Sequence, residues 1–290
     1  MVSELFRKVF RKVRIFLEMI KFEHTIFALP FAYMGALLTE KHIPSAHDLI
    51  WITVAMVGAR TAAMSLNRLI DRHIDALNPR TRNRALPAGL ISVGEVWVYA
   101  VISLALLLAA AYQLSPLAVK FFPLVVAILV GYSYTKRFTW ACHIWLGAAL
   151  GFAPLGSWIA IANRVDLAPV LLAGGVLFWV AGFDIIYACM DTDFDRKSNL
   201  KSIPARYGIG SALKISRVFH ILAALLFLLA GIVLNMSVLY FVGIALAVVI
   251  LFYEHAIVNP ADLSRVNVAF FHMNAGLSLA LFFFTLFAVL

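Results

Sequence analysis

Asn67-x3-Asp71-x3-Asp75 and Tyr187-x3-Asp191-x3-Asp195 repeat one spacing at an offset of 120 residues. A spacing of four stacks each trio on one face of a helix. Each trio also closes a long apolar run, where a carboxylate is costly unless water reaches it or something binds it. Two such clusters predict a shared polyanionic ligand held through divalent cations. Mg²⁺ keeps several waters and is commonly held by one or two carboxylates plus substrate phosphates. Asp71 with Asp75, and Asp191 with Asp195, are therefore candidate sites for two ions with a diphosphate between them. Arg80, Arg84, Lys136, Lys201 and Arg206 supply cations to neutralise the remaining charge. Such a clamp stabilises a departing diphosphate, because charge develops on its bridging oxygen as the bond breaks.

A site that opens onto a bilayer asks for a lipidic substrate, and a prenyl diphosphate satisfies both ends. Ionising an allylic diphosphate leaves a carbocation that water would quench. A dry pocket lined with aromatic faces protects it. Phe22, Phe27, Tyr132, Tyr134, Phe183 and Tyr187 lie near the motifs. Tyr132 and Tyr187 stand out, each four residues before a candidate polar ligand, Lys136 and Asp191.

The elements that position these residues follow from composition. The chain has 290 residues and only 13% charged residues, with a mean hydropathy of +0.93. That profile excludes a soluble domain and predicts an all-α polytopic membrane protein. Unbroken apolar runs without period-two alternation choose helices over a barrel. Nine spans are expected, at roughly 24–39, 49–70, 93–114, 117–135, 142–162, 168–190, 212–234, 237–256 and 268–290. With the N-terminus on the cytoplasmic side, that side collects all 24 Lys and Arg residues except Lys41, Lys120, Arg164 and the in-span Arg60. This is the positive-inside pattern, and it places both acidic motifs at the cytoplasmic face. The net charge of +9 thus reflects membrane topology rather than nucleic-acid binding.

Residues 1–22 read as an interfacial amphipathic helix ahead of a single membrane domain, 23–290. Phe6, Val9, Phe10, Val13, Phe16, Leu17 and Ile20 form its apolar stripe, with Arg7, Lys8, Arg11, Arg14 and Glu18 largely opposite. The segment has no signal-peptide pattern. Cys142 and Cys189 give no disulfide or metal framework.

The loops after the two motifs are also alike. Each runs from an acidic helix end through a basic stretch to a cation-x-Leu/Ile-Pro segment, at Arg84-Ala85-Leu86-Pro87 and Lys201-Ser202-Ile203-Pro204. Repeated halves in membrane proteins often build one site at their interface.

On these residues the chain resembles the UbiA superfamily of intramembrane prenyltransferases, from Lys21 through the ninth span. The segments that carry the resemblance are Asn67-Arg68-x2-Asp71-x3-Asp75, Arg80-Thr81-x2-Arg84, Leu86-Pro87-Ala88-Gly89, Tyr132-x3-Lys136-Arg137 and Asp184-x2-Tyr187-x3-Asp191-x3-Asp195. The resemblance implies nine helices around a central cavity with a cytoplasmic cap, in the inner (cytoplasmic) membrane. It implies Mg²⁺-dependent transfer of a polyprenyl group to an aromatic ring. Asp71, Asp75, Asp191 and Asp195 would bind the metal–diphosphate, supported by Asn67, while Arg80, Arg84 and Lys136 would contact diphosphate. Lys21 stands where relatives commonly have arginine, keeping the charge without the bidentate fork. Arg68 replaces the aspartate of many relatives. Asn67-Arg68, together with Lys21-Phe22-Glu23-His24-Thr25-Ile26-Phe27-Ala28-Leu29-Pro30, is similar to the bacterial 4-hydroxybenzoate polyprenyltransferase-like branch, which serves ubiquinone and menaquinone biosynthesis. The acceptor is expected to be 4-hydroxybenzoate or, alternatively, 1,4-dihydroxy-6-naphthoate, with His24 as a contact to the ring.

Other residues divide less sharply. Asp184 lies two turns before Asp191 on roughly the same side, equally suited to structural pairing and to the site. Asp193 points elsewhere and is expected at the surface. His24, His73, His143 and His272 lack metal-ligand spacing. An ion-coupled transporter also uses intramembrane acids and repeats, but near the midplane rather than at span ends beside basic loops. A phosphatidyl-alcohol phosphotransferase needs an Asp-Gly-x2-Ala-Arg segment, which is absent.

Overall fold

The computed structural model describes residues 2–290, apart from the side chains of residues 2–9, 24 and 26. The chain begins with α1 (Val2–Met19), a 3-10 turn at Phe22–His24, α2 (Thr25–Glu40), α3 (Ala46–Leu77), α4 (Val93–Leu114) and α5 (Pro116–Thr135). It continues through α6 (Cys142–Ala162), α7 (Leu167–Ala188), a 3-10 turn (Cys189–Asp191), α8 (Thr192–Lys197) and α9 (Ile203–Tyr207). Then come α10 (Ile209–Val233), α11 (Val238–Ile257), α12 (Val266–Val268), a π turn (Ala269–Met273) and α13 (Asn274–Val289). Serines start several of these helices by accepting a backbone N–H, as Ser45, Ser92, Ser115 and Ser202 do.

Among the described residues, eight segments are long and apolar enough to cross a membrane, and the chain is a multi-pass membrane protein. The first expected span differs from the rest. Its apolar part, Phe27–Glu40, is too short to cross a hydrocarbon core of about 30 Å at about 1.5 Å per residue. Yet Phe31, Ala32 and Met34 are fully buried. This helix therefore sits inside the bundle against α3, α6, α7 and α13, shielded from lipid by longer helices. Conversely, α10 and α11 expose Val218, Ile221, Leu225, Val249 and Phe252, the apolar exterior that lipid requires.

Close helix contact in the centre depends on Gly147 and Gly151, one turn apart on α6. A Cβ built on Gly147 would lie 2.2 Å from the Leu177 carbonyl oxygen, and one on Gly151 2.7 Å from that of Ala173. The pair lets the α6 and α7 backbones touch, as small residues four apart do in membranes. Gly147→Leu is expected to cost about 3 kcal/mol, read as a lowered thermal unfolding midpoint in detergent. Gly276→Ala, where a Cβ meets nothing within 4 Å, is expected to leave that midpoint unchanged or raised.

The N-terminal helix divides its apolar stripe. Phe16 and Ile20 join Ile15 and Met19 against Leu69, Leu86, Ile91, Val96 and Tyr99, and Lys12 pairs with Glu95. Phe10, Val13 and Leu17 remain exposed. Part of the stripe thus docks on the end of α3 and the following loop, leaving the remainder for an interface.

The π turn shapes the wall beside the second motif. Asn274 donates to the carbonyls of Ala269 and Phe270, at 3.2 and 3.0 Å, and accepts from the Trp179 indole at 2.6 Å. This anchoring sets Phe270 against Tyr187, with ring centroids 4.3 Å apart, and against Phe183 at 5.4 Å.

Candidate functional site

Where α3, α5 and α7 end, their polar residues line a chamber of about 900 Å³, part of it open to the surroundings. Asp71, Asp75, Asp191 and Asp195 all line it, together with Asn67, Arg80, Arg84, Tyr132, Lys136, Tyr187 and Lys201. The two motifs arrive differently. The first lies within an unbroken α-helix. The second passes through the 3-10 turn Cys189–Asp191 before α8 resumes, so its helical stripe is tightened at the first aspartate. The Thr192 hydroxyl donates to the Cys189 carbonyl at 2.8 Å, satisfying an acceptor within this turn.

Each carboxylate is held by a neighbour. Lys136 Nζ lies 2.7 Å from Asp71 Oδ2, and Arg137 Nη2 lies 3.3 Å from Oδ1. Asn67 donates to Asp71 Oδ2 at 3.0 Å. Arg84 spans both oxygens of Asp75, at 2.8 and 2.9 Å, while Arg68 approaches Asp75 to 4.0 Å. Arg80 crosses from the first loop to the second motif. Its Nε donates to Asp191 Oδ1 at 2.9 Å, its Nη2 pairs with Oδ2, and its Nη1 donates to the Tyr187 hydroxyl at 2.7 Å. Asn78 adds a bond to Asp191 at 3.1 Å. Asp195 accepts from Ser202 at 2.8 Å, the same serine whose oxygen caps α9. Burial works against the Arg80 charge, but its hydrogen bonds to Asp191 and Tyr187 and the charge of Asp191 outweigh it and raise its pKa above the ordinary arginine value.

Arg68, Arg80, Arg84, Lys136, Arg137 and Lys201 outnumber the four motif carboxylates around this chamber. The surplus suits an anion. Among the described residues no group of three or more His, Cys, Asp or Glu side chains converges as a ready metal cage. Paired carboxylates facing an anion-binding surface instead fit a hard cation completed by phosphate oxygens and water.

Below the chamber runs an apolar cavity of about 1220 Å³, part of it open to the surroundings. It shares Tyr132 and Leu146 with the chamber and extends between α3, α5 and α6 to Leu114, Ala118 and Ala160 near the far end of the bundle. Alanines such as Ala59, Ala63, Ala149 and Ala153 leave the room. Arg60 interrupts this wall. Its Nη2 donates to the Lys21 carbonyl at 3.2 Å, but its buried Nε has no partner among the described residues.

Some expected site residues lie elsewhere. Lys21 is outside the chamber lining, exposed and 3.5 Å from Glu23, because a positive φ of 53° turns the chain there. The side chain of His24 is outside the described residues. Arg206 stacks over Trp140 and Tyr207 rather than entering the chamber. Of the aromatics, Tyr132 and Tyr187 line it, Phe27 and Phe183 pack in the core, and Phe22 and Tyr134 are exposed. Asp193 is exposed, as its helical position predicts. Sequence reasoning gave Arg60, Asn78, His143 and Ser202 no place in the site. Arg60 carried a signal nonetheless: a lone cation inside an apolar span, seven residues before Asn67 and hence on the same face.

Comparison with known proteins gives a consistent neighbourhood. Residues 28–286 match the UbiA prenyltransferase family. A 4-hydroxybenzoate octaprenyltransferase of Cupriavidus necator is 31% identical, over 80% of this chain and 81% of its own. The enzyme of the same name from Pseudoalteromonas translucida is 29% identical, over 88% and 87%. Among solved structures, a UbiA homolog from Aeropyrum pernix in its apo form superposes with a TM-score of 0.82 at 37% identity, covering 89% of this chain and 95% of that one. A UbiA homolog from Archaeoglobus fulgidus, bound to GPP and Mg²⁺, shares the fold at a TM-score of 0.69 and 21% identity, covering 92% and 99%.

Proposed function

The chain belongs to the UbiA prenyltransferase family, and from that premise we propose that it transfers a polyprenyl group from a polyprenyl diphosphate to the ring of a phenolic acid of the 4-hydroxybenzoate type. The reaction uses Mg²⁺, serves respiratory quinone synthesis, and takes place at the cytoplasmic face of the inner membrane, where the basic loops lie. One observation carries the reading: the chamber holding the four motif carboxylates and their surplus of cations adjoins an apolar cavity, the two sharing Tyr132 and Leu146 in their walls. The diphosphate belongs in the first and its lipid tail in the second.

The residues divide the work accordingly. Arg80, Arg84, Lys136 and Lys201 bind the diphosphate oxygens, with Arg137 close beside Asp71. Asp71, Asp75, Asp191 and Asp195 would hold Mg²⁺, with Asn67 orienting Asp71. When bound, the metal supplies positive charge to the leaving diphosphate. Tyr132 and Tyr187 present aromatic faces where the allylic cation forms and, with the apolar wall, exclude water. A ring carbon next to the acceptor hydroxyl attacks that cation, and loss of the ring proton restores aromaticity.

Purified protein given Mg²⁺, geranyl diphosphate, and either 4-hydroxybenzoate or a dihydroxynaphthoate tests the assignment. Prenylated 4-hydroxybenzoate is the expected product. Reaction with the naphthoate alone would move the acceptor assignment, and no product with either would overturn the reading.

Arg60 is the group best placed to receive the acceptor's carboxylate, because it lines the cavity beside Tyr132 and has a buried N–H to offer. Arg60→Ala is expected to raise the acceptor KM about tenfold, the worth of one charge-assisted hydrogen bond. The KM for geranyl diphosphate should stay within about twofold. Initial rates with each substrate varied in turn check this.

A further inference from the structure

Asp184 stands apart from the motif carboxylates. It lines the chamber near Leu146, at the joint with the apolar cavity, and no lysine or arginine pairs with it among the described residues. Its partner is His143, the second residue of α6 and 2% exposed. His143 Nδ1 lies 2.7 Å from Asp184 Oδ2, and His143 Nε2 lies 3.3 Å from the backbone nitrogen of Ile203. An imidazole nitrogen that accepts from a backbone N–H carries no proton of its own. The proton is therefore on Nδ1 and is donated to Asp184, so the histidine fixes that carboxyl group in one orientation. Asp184 Oδ1 has no hydrogen bond among the described residues, and the side chain is 25% exposed.

Resting on the prenyl-transfer reading, we infer that Asp184 is the general base that removes the acceptor's ring proton, with His143 as its positioning residue. The bond between prenyl C1 and the diphosphate oxygen breaks, and that electron pair leaves with the diphosphate. The acceptor ring carbon then forms the new carbon–carbon bond. The C–H pair at that carbon returns to the ring, and its proton passes to Asp184 Oδ1, from which the open chamber releases it to water. The placement fits: two helical turns from Asp191 toward the cavity puts Asp184 level with the region where diphosphate ends and the prenyl chain begins. Asp71, Asp75 and Asp191 are each engaged by a lysine or arginine, whereas Asp184 keeps one oxygen open to the chamber.

The test uses 4-hydroxybenzoate deuterated at the ring positions next to its hydroxyl. In the wild-type enzyme deprotonation follows carbon–carbon bond formation rapidly, and no isotope effect is expected on kcat. Asp184→Asn should lower kcat by about 10²-fold and expose a normal primary isotope effect, with the geranyl diphosphate KM unchanged. His143→Leu should behave in the same direction. His143→Asn, whose amide can still donate to Asp184, should recover much of the rate and suppress the isotope effect. Should Asp184→Asn fail to fold, Asp184→Glu is the second arm, again with slower turnover and an emerging isotope effect.

A slow variant with no isotope effect would overturn the proposal, since a purely structural latch between α6, α7 and α9 lowers rate without making deprotonation limiting. Wild-type rates in Asp184→Asn would overturn it too. Absence of product from wild-type enzyme with every acceptor would instead sink the underlying prenyl-transfer reading.

Discussion

Asp191→Asn is expected to lower kcat/KM for prenyl transfer by about 10³-fold while leaving the protein folded. The substitution removes a charge from one of the two carboxylate pairs that, in the proposed reaction, face the diphosphate, and with it stabilisation realised only as the leaving group departs. The structural cost is small, because Arg80 is about one-third exposed, at 32%, and keeps its bond to the Tyr187 hydroxyl. Asp75→Asn should be equally damaging to activity but for two reasons. Asp75 is 4% exposed and faces Arg84 and Arg68, of which Arg68 is itself 6% exposed. Neutralising it strands a buried guanidinium, a defect that costs roughly 3–5 kcal/mol in such settings. Rates with geranyl diphosphate, read beside thermal unfolding in detergent, separate the two. Asp191→Asn should move only the first measurement, and Asp75→Asn both. Comparable unfolding midpoints for the two variants would refute the distinction between a partly exposed and a buried carboxylate of the same chamber.

That distinction between Asp191 and Asp75 could not be read from the repeated spacing, which sets all four aspartates alike at the ends of apolar spans. Much else could. Apolar runs located the spans, because lipid permits no unsatisfied backbone between them. The four-residue spacing brought Asn67, Asp71 and Asp75 to one chamber, because a straight α-helix carries them there. Three features stayed hidden. The 3-10 turn at Cys189–Asp191 leaves the Tyr187-x3-Asp191-x3-Asp195 pattern intact in sequence while changing its pitch. Lys21 keeps the expected charge, but the left-handed backbone at that residue leaves it beside Glu23 rather than in the chamber. His143 carries no spacing signal, because Asp184 and Ile203, its partners, come from distant segments. Local period reveals faces of helices, whereas roles made by three elements meeting require their packing.

Arg80→Ala carries the second large effect, and two of its consequences have opposite signs. Arg80 is the cation that joins the halves, reaching from the loop after the first motif to Asp191 and Tyr187. In the ligand-free protein it neutralises Asp191. For Asp191 to accept a metal ion, this pair must open, with the guanidinium turning to the incoming diphosphate. Without Arg80 the variant loses a forked contact to phosphate, worth about 3 kcal/mol at the upper end for a charge-assisted pair, or about 100-fold in affinity for the prenyl diphosphate. The same change frees Asp191 from its internal cation, so Mn²⁺ added alone, followed by its electron paramagnetic resonance, should bind more tightly than to wild type. Arg80→Lys should fall between, since a single ammonium keeps charge without the fork. If Mn²⁺ and diphosphate affinities both fall in Arg80→Ala, the arginine serves to hold the two halves together, and the exchange of partners is wrong. If they separate in the stated directions, the ion pairs of the resting chamber are the same charges that later bind substrate, held against one another until metal and diphosphate arrive together.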